Sequence, residues 1–349
     1  MKETLYLFLL QKREENELSQ AFTAYNTRII TPPTGSLFPV APAKSKIWLI
    51  AFVLGLAIPV GVIFMKENLI TTVRGRRDLA SCSMPLIGEI PMAMRPDASR
   101  WKFWEKKEND KRLIVVEDGN RDVINEAFRV MRTNLEFMTK KDGLNVFVVT
   151  SFNPGSGKSF LTVNLAKSLA LKGKKVIVVD GDLRHASSSA YAGTPKRGIS
   201  DYLAERVNDY KELIVNSEEH KNLYILPVGT IPPNPAELLE DELFGKCINE
   251  LRTSYDYVFI DCPPIDIVTD TSVIEVFADR TLFVVRAGVL EKSMIPELED
   301  IYKGNRFKNM SLILNATTDG GGGRYGYRYG YRYGYRYGSH YYAYGGKNK

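Results

Sequence analysis

"NVFVVTSFNPGSGKSFLTVNLAKSLALKG", residues 145–173, decides how the rest of this chain is read. It opens with Val, Phe and Thr, passes through a short run of small residues, and continues as a helix-like stretch. An uninterrupted apolar run of that length suits a strand buried on both faces. Gly155 and Gly157 free the backbone to turn successive N–H groups inward around phosphate oxygens. A helix beginning at that point adds the favourable end of its dipole. Lys158 offers positive charge to β- and γ-phosphates, and Ser159 offers a hydroxyl to Mg²⁺. The expected nucleotide contacts are Pro154, Gly155, Ser156, Gly157, Lys158, Ser159 and Phe160. The strict P-loop pattern has glycine where Phe152 stands, so the match is imperfect.

Two further motifs lie downstream. "VIVVDGDLR" places Asp180 and Asp182 at the end of a second apolar run. Carboxyl ends of strands are where open α/β sheets bind ligands, and residues i and i+2 on a strand point the same way. "YVFIDCPP" ends another run with Asp261, a Walker B carboxylate for hydrated Mg²⁺. Strands are expected at 145–151, 175–181, 222–229, 256–262, 280–288 and 309–317, most of them separated by helical stretches. That alternation predicts an α/β P-loop NTPase fold: a mostly parallel sheet flanked by helices.

Ile47–Met65, "IWLIAFVLGLAIPVGVIFM", is nineteen residues without a charge. At about 1.5 Å per residue it matches the hydrocarbon thickness of a bilayer. Lys44 and Lys46 precede it, and Lys66, Arg74, Arg76 and Arg77 follow; the surplus of cations weakly favours the C-terminal side as cytosolic, and the need for ATP on that side is the stronger argument. It starts too far into the chain for an ordinary signal peptide. The expected organisation is an end of an extracytoplasmic region at 1–46, a transmembrane helix at 47–65 and a juxtamembrane linker at 66–112. A cytoplasmic domain at 113–318 and a tail at 319–349 follow. The net charge of +6 is mild and does not by itself indicate nucleic acid. Three scattered cysteines read as reduced thiols, and three histidines make a histidine metal site improbable.

The tail repeats Arg-Tyr-Gly-Tyr from Arg324, Arg328 and Arg332. Glycine at every fourth position opposes helix, and without aliphatics the segment cannot offset its ordering entropy. It presents Tyr325, Tyr327, Tyr329, Tyr331, Tyr333, Tyr335, Tyr337, Tyr341, Tyr342 and Tyr344.

From about residue 113 onward the chain resembles the bacterial tyrosine kinases that serve capsule and exopolysaccharide synthesis and export. The resemblance rests on "PGSGKS", "VVDGDLR", "FIDCPP", "EAFRVMR" (126–132), "GISDYL" (198–203), "IPPNPAELL" (231–239) and the tyrosine-rich end. It implies an ATP- and Mg²⁺-dependent kinase that phosphorylates the tail of a neighbouring chain in a ring-shaped homo-oligomer. Lys158, Asp180, Asp182 and Asp261 are then the expected catalytic residues. Ser159, Asp182 and Asp261 would hold the metal and its waters, and Asp180 would orient or deprotonate the incoming hydroxyl. Glu126, Arg129 and Arg132 match the family's ExxRxxR oligomerisation motif. Arg184 either anchors its loop or touches phosphate. The resemblance also implies a bacterial inner-membrane location with the kinase domain cytoplasmic. Implied partners are a polysaccharide polymerase or export machinery and a tyrosine phosphatase, with no nucleic acid.

Family members usually carry two transmembrane helices around a long external domain. Residues 1–46 resemble the end of that domain, so the chain is expected to lack the N-terminal half, as a fragment, a misassigned start or a natural short form. Three other functions fit parts of the sequence. The partition and division-site ATPases share the fold, but their signature lysine falls where Asn153 stands. A nucleotide-gated scaffold for a polymerase is compatible with the same residues. The Arg/Gly/Tyr tail also resembles RNA-binding segments.

Overall fold

The computed structural model describes residues 2–23, 35, 43–68, 71–92, 114–139, 144–265 and 270–317. The tail tyrosines, the rest of the predicted linker and most of the proline-rich run at 31–44 lie outside the described residues. The chain divides into two units, Met1–Ile70 and Thr71–Lys349.

In the first unit, α1 spans Lys2–Thr23 and α2 spans Lys44–Asn68. On α2 the apolar side chains from Ile47 to Met65 are exposed, as a lipid-facing helix requires. Its length and composition suffice to cross a membrane. Pro59 sits inside the helix.

The second unit is built on an eight-stranded sheet. Its strands are β1 (Leu86–Pro91), β2 (Val146–Thr150), β3 (Val176–Asp180), β4 (Val215–Asn216), β5 (Leu223–Leu226), β6 (Tyr257–Asp261), β7 (Arg280–Arg286) and β8 (Ser311–Thr317). They lie in the order β1-β8-β7-β2-β6-β3-β5-β4. All neighbours are parallel except β4, which pairs antiparallel with β5. The helices are α3 (Val123–Thr139), α4 (Lys158–Ala170), α5 (Ile199–Leu203), α6 (Pro235–Glu240), α7 (Glu242–Ser254), α8 (Asp270–Glu275) and α9 (Ile295–Lys303).

Alternation along the strands splits the core. Phe147, Val149, Val176, Val178 and Phe259 face α3 and α4. Val146, Val148, Ile177, Val179, Val258 and Ile260 face the other side, against α5 and α7. Each central strand therefore buries both faces, which explains its continuous apolar sequence. The six predicted strand regions all contain a strand.

One correction concerns residues 66–112, which sequence composition gives to a linker. Residues 71–92 of that span belong to the fold. Val73, Leu79, Met84, Ile87 and Ile90 are buried, Val73 N–H donates to the Leu290 carbonyl at 2.8 Å, and β1 pairs with β8. β1 has only one strand neighbour, and its sequence "LIGEIP" lacks the apolar run of a central strand. Gly88 is required there, because an added Cβ would stand 2.9 Å from Met131 Cβ on α3.

Candidate active site

The order β7-β2-β6-β3 brings the three acidic motif residues to one end of the sheet. α4 begins immediately after the loop that follows β2, and Gly157 caps it in the left-handed region, with φ of 89°. Gly155 is left-handed too, with φ of 70°. Two neighbours fix the loop from the side. Asn315 Nδ2 on β8 donates to the Ser156 carbonyl at 2.9 Å, and Arg286 Nη1 on β7 donates to the Gly155 carbonyl. A trans peptide points its N–H opposite to its C=O. Those two contacts therefore turn the N–H groups of Ser156 and Gly157 away from β7 and β8. The hydroxyls of Ser151 and Ser156 both donate to the Asn153 carbonyl, at 2.8 and 2.7 Å.

Phe152 explains the imperfect motif. Its ring is buried against Phe283 on β7, edge-on, with centroids 5.1 Å apart. Its φ is not positive, so no glycine is needed there; the side chain serves the core and the phosphate cradle starts after it.

Asp180 and Asp261 are register partners on the adjacent strands β3 and β6. Both are fully buried. Asp180 Oδ2 accepts from the Ser189 N–H at 2.7 Å and the Ser189 hydroxyl at 2.6 Å. Burial and the nearby Asp261 charge push the Asp180 carboxyl well above the usual carboxylate range, against the pull of the Ser189 hydrogen bonds. Asp261 Oδ2 accepts from the Ser188 hydroxyl at 2.5 Å, whereas its buried Oδ1 has no partner at full hydrogen-bonding geometry, with the Ser159 hydroxyl near the carboxylate. Burial raises this carboxyl too, opposed by the hydroxyls of Ser159 and Ser188 and by the Lys158 cation. The Lys158 side chain is itself buried; desolvation lowers its pKa, and the charges of Asp261 and Asp182 oppose that shift. Asp182 Oδ1 accepts from the N–H groups of Arg184 and His185, at 3.3 and 3.1 Å.

Arg184 is a loop anchor. It forms a two-pronged pair with the buried Asp270 at the start of α8, through Nε at 3.0 Å and Nη2 at 3.2 Å. Glu126 and Arg129 pair with each other on the outer side of α3, at 3.2 Å. Arg132 turns inward, donating to the Ser168 carbonyl on α4 at 2.7 Å. Sequence reasoning missed Ser188, Ser189, Asp270, Arg286 and Asn315. The triple serine of "HASSSAY" and the polar residues ending the runs "TLFVVR" and "LILN" are the signals that could have found them.

This arrangement fits a nucleotide. It combines a glycine-lined helix N-terminus, a buried lysine and an unpartnered buried carboxylate oxygen. Among the described residues no group of three or more His, Cys, Asp or Glu could hold a metal ion.

Comparison with known proteins agrees with the geometry. Residues 144–291 match the family model described as "AAA domain", and residues 1–68 match "G-rich domain on putative tyrosine kinase". A putative tyrosine-protein kinase AmsA of Erwinia amylovora is 30% identical over 341 residues, covering 93% of this chain and 45% of the relative. The tyrosine-protein kinase wzc of Salmonella typhimurium is 29% identical over 320 residues, covering 89% and 44%. The chain thus spans a little under half the length of these curated relatives. Among solved structures, the kinase domain of Escherichia coli tyrosine kinase ETK superposes with a TM-score of 0.62 at 25% identity, covering 72% of this chain and 98% of that domain. The BceF tyrosine kinase domain gives 0.59 at 28%, covering 70% and 99%.

Proposed function

The chain belongs to the family of bacterial tyrosine-protein kinases, and on that premise we propose that it transfers the γ-phosphoryl group of ATP to tyrosines of its own C-terminal tail. The observation carrying this reading is the convergence of Lys158, Asp180 and Asp261 at the carboxyl ends of neighbouring strands, beside a glycine-lined helix start.

Phosphoryl transfer asks the protein mainly for positioning and charge stabilisation. The backbone N–H groups around Gly155–Gly157 hold the phosphate chain, and Lys158 neutralises charge developing on the γ-phosphoryl oxygens. Pro154 and Phe160 flank the cradle. Ser159, Asp182 and Asp261 would hold Mg²⁺ and its waters, which would supply positive charge to the phosphate oxygens. Asp180 orients the acceptor hydroxyl and takes its proton. The tyrosine oxygen bonds to the γ-phosphorus, the bond to the β–γ bridging oxygen breaks, and ADP leaves.

The acceptors are tyrosines between Tyr325 and Tyr344, supplied by a neighbouring copy in a ring-shaped homo-oligomer. On α3, Glu126 and Arg129 are placed for contact between copies, and Arg132 braces the helix from within. Residues 47–65 span the bacterial inner membrane and hold the kinase domain in the cytosol. The enzyme regulates capsule or exopolysaccharide synthesis, with polymerase or export proteins and a tyrosine phosphatase as partners. Incubation of the chain with Mg²⁺ and labelled ATP, followed by mass spectrometry of the tail, tests the reading.

A further inference from the structure

Two consecutive residues hold two of the site's carboxylates, although those carboxylates stand on different strands. Ser188 and Ser189 follow the DxDxR loop, and both are buried. The Ser188 hydroxyl occupies Asp261 Oδ2 on β6, while the N–H and hydroxyl of Ser189 occupy Asp180 Oδ2 on β3. Val228 N–H, just past β5, donates to Ser189 Oγ at 2.8 Å, which leaves the hydroxyl proton of Ser189 available to Asp180. What remains is one free oxygen on Asp261, the buried and unpartnered Oδ1. On Asp180 the other oxygen, Oδ1, receives only a long contact of 3.3 Å from the Asp182 N–H.

We infer that Ser188 is a positioning residue that restricts Asp261 to a single available oxygen, and that the site thereby favours Mg²⁺ over Ca²⁺. The inference rests on the reading that a metal nucleotide binds here. Its chemistry is that of carboxylate denticity. Ca²⁺ takes six to eight oxygens and often engages both oxygens of one carboxylate; Mg²⁺ demands a compact octahedron completed largely by waters and phosphates. A carboxylate with one oxygen already committed to a serine suits the second ion and handicaps the first. Ser188 carries the effect, because Asp261 is the acid of this pair that would hold the ion. Ser189 instead fixes Asp180 and ties the acid loop to the end of β5.

The test uses the full chain in detergent and a fluorescent N-methylanthraniloyl ADP as probe, titrated separately with Mg²⁺ and Ca²⁺. The wild type should reach its binding midpoint at lower Mg²⁺ than Ca²⁺. In Ser188→Ala the ratio of the two midpoints should narrow by about tenfold, roughly the worth of one hydrogen bond to a charged group. A folded Ser188→Thr, which keeps the hydroxyl, should restore the wild-type ratio. A metal-free thermal melt establishes that each variant is folded; should Ser188→Ala not fold, Ser188→Cys, which replaces the hydroxyl by a weak donor of similar size, is read in the same way. An unchanged ratio, or equal narrowing in Ser188→Thr, overturns the inference alone. A wild type that binds no probe with either ion overturns the functional reading and this inference with it.

Discussion

Asp180 on β3 stands in register with Asp261 on β6, and both carboxylates are withdrawn from solvent. Such a pair costs stability when ionised, because burial raises both protonation equilibria and the Asp261 charge raises that of Asp180 further. A carboxyl whose folded pKa lies above its unfolded value destabilises the fold above the unfolded value, increasingly as pH rises toward the folded one. Below the unfolded value the penalty vanishes. Asp180→Asn should therefore abolish phosphoryl transfer and yet raise the melting temperature of the nucleotide-free protein. A gain of about 2–4 °C at pH 8, shrinking toward pH 4, corresponds to roughly 1 kcal/mol in a domain of this size. Thermal melts across that pH range check it; a variant that melts lower than wild type at pH 8 contradicts it.

The Arg184–Asp270 pair should behave as a structural clasp. Arg184→Ala leaves a buried carboxylate without its cation and should cost about 2 kcal/mol, the figure for a broken buried pair discounted because Arg184 is partly exposed. Adding Asp270→Asn should recover much of the loss. Denaturant titration of the two single variants and the double variant reads the coupling directly; strictly additive losses would show that the residues act separately.

Gly157 meets two constraints at once. Its backbone lies in the left-handed region, and a Cβ would stand 2.3 Å from Asn315 Nδ2. Gly157→Ala should weaken nucleotide binding strongly, and Asn315→Ala, which frees the Ser156 carbonyl, should weaken it by about tenfold, as loss of one positioned hydrogen bond suggests. Equilibrium titration with a fluorescent ADP separates these effects from turnover.

Gly88→Ala tests whether the segment before the predicted domain boundary is integral to the fold. Forcing Met131 to move should cost about 1–3 kcal/mol by overpacking. A linker glycine would show no change in a denaturant melt.

These residues also show what could be seen in the sequence. The central strands were legible because burial on both faces demands uninterrupted Val, Ile and Phe, and the phosphate loop because glycines and lysine have fixed spacing. β1 was not legible: with a single strand neighbour and a polar Glu89 in its short sequence, it carries no such run. Ser188 and Ser189 were equally hidden, since a buried serine earns its place through a partner 73 positions away for Ser188, a separation that spacing does not encode. Arg184 was recognised as part of a motif, yet its role depends on Asp270, which lies 86 positions downstream. For Phe152 the sequence signalled a defect in the P-loop, and packing against Phe283 resolves it.

The central claim is that the site hands phosphate to the tail. The direct measurement incubates the full chain, in detergent, with Mg²⁺ and labelled ATP beside Lys158→Met, and maps the label by mass spectrometry. Phosphotyrosine is expected between Tyr325 and Tyr344 in the wild type and none in the variant. Release of inorganic phosphate by a wild-type protein whose tail tyrosines stay unmodified would contradict it.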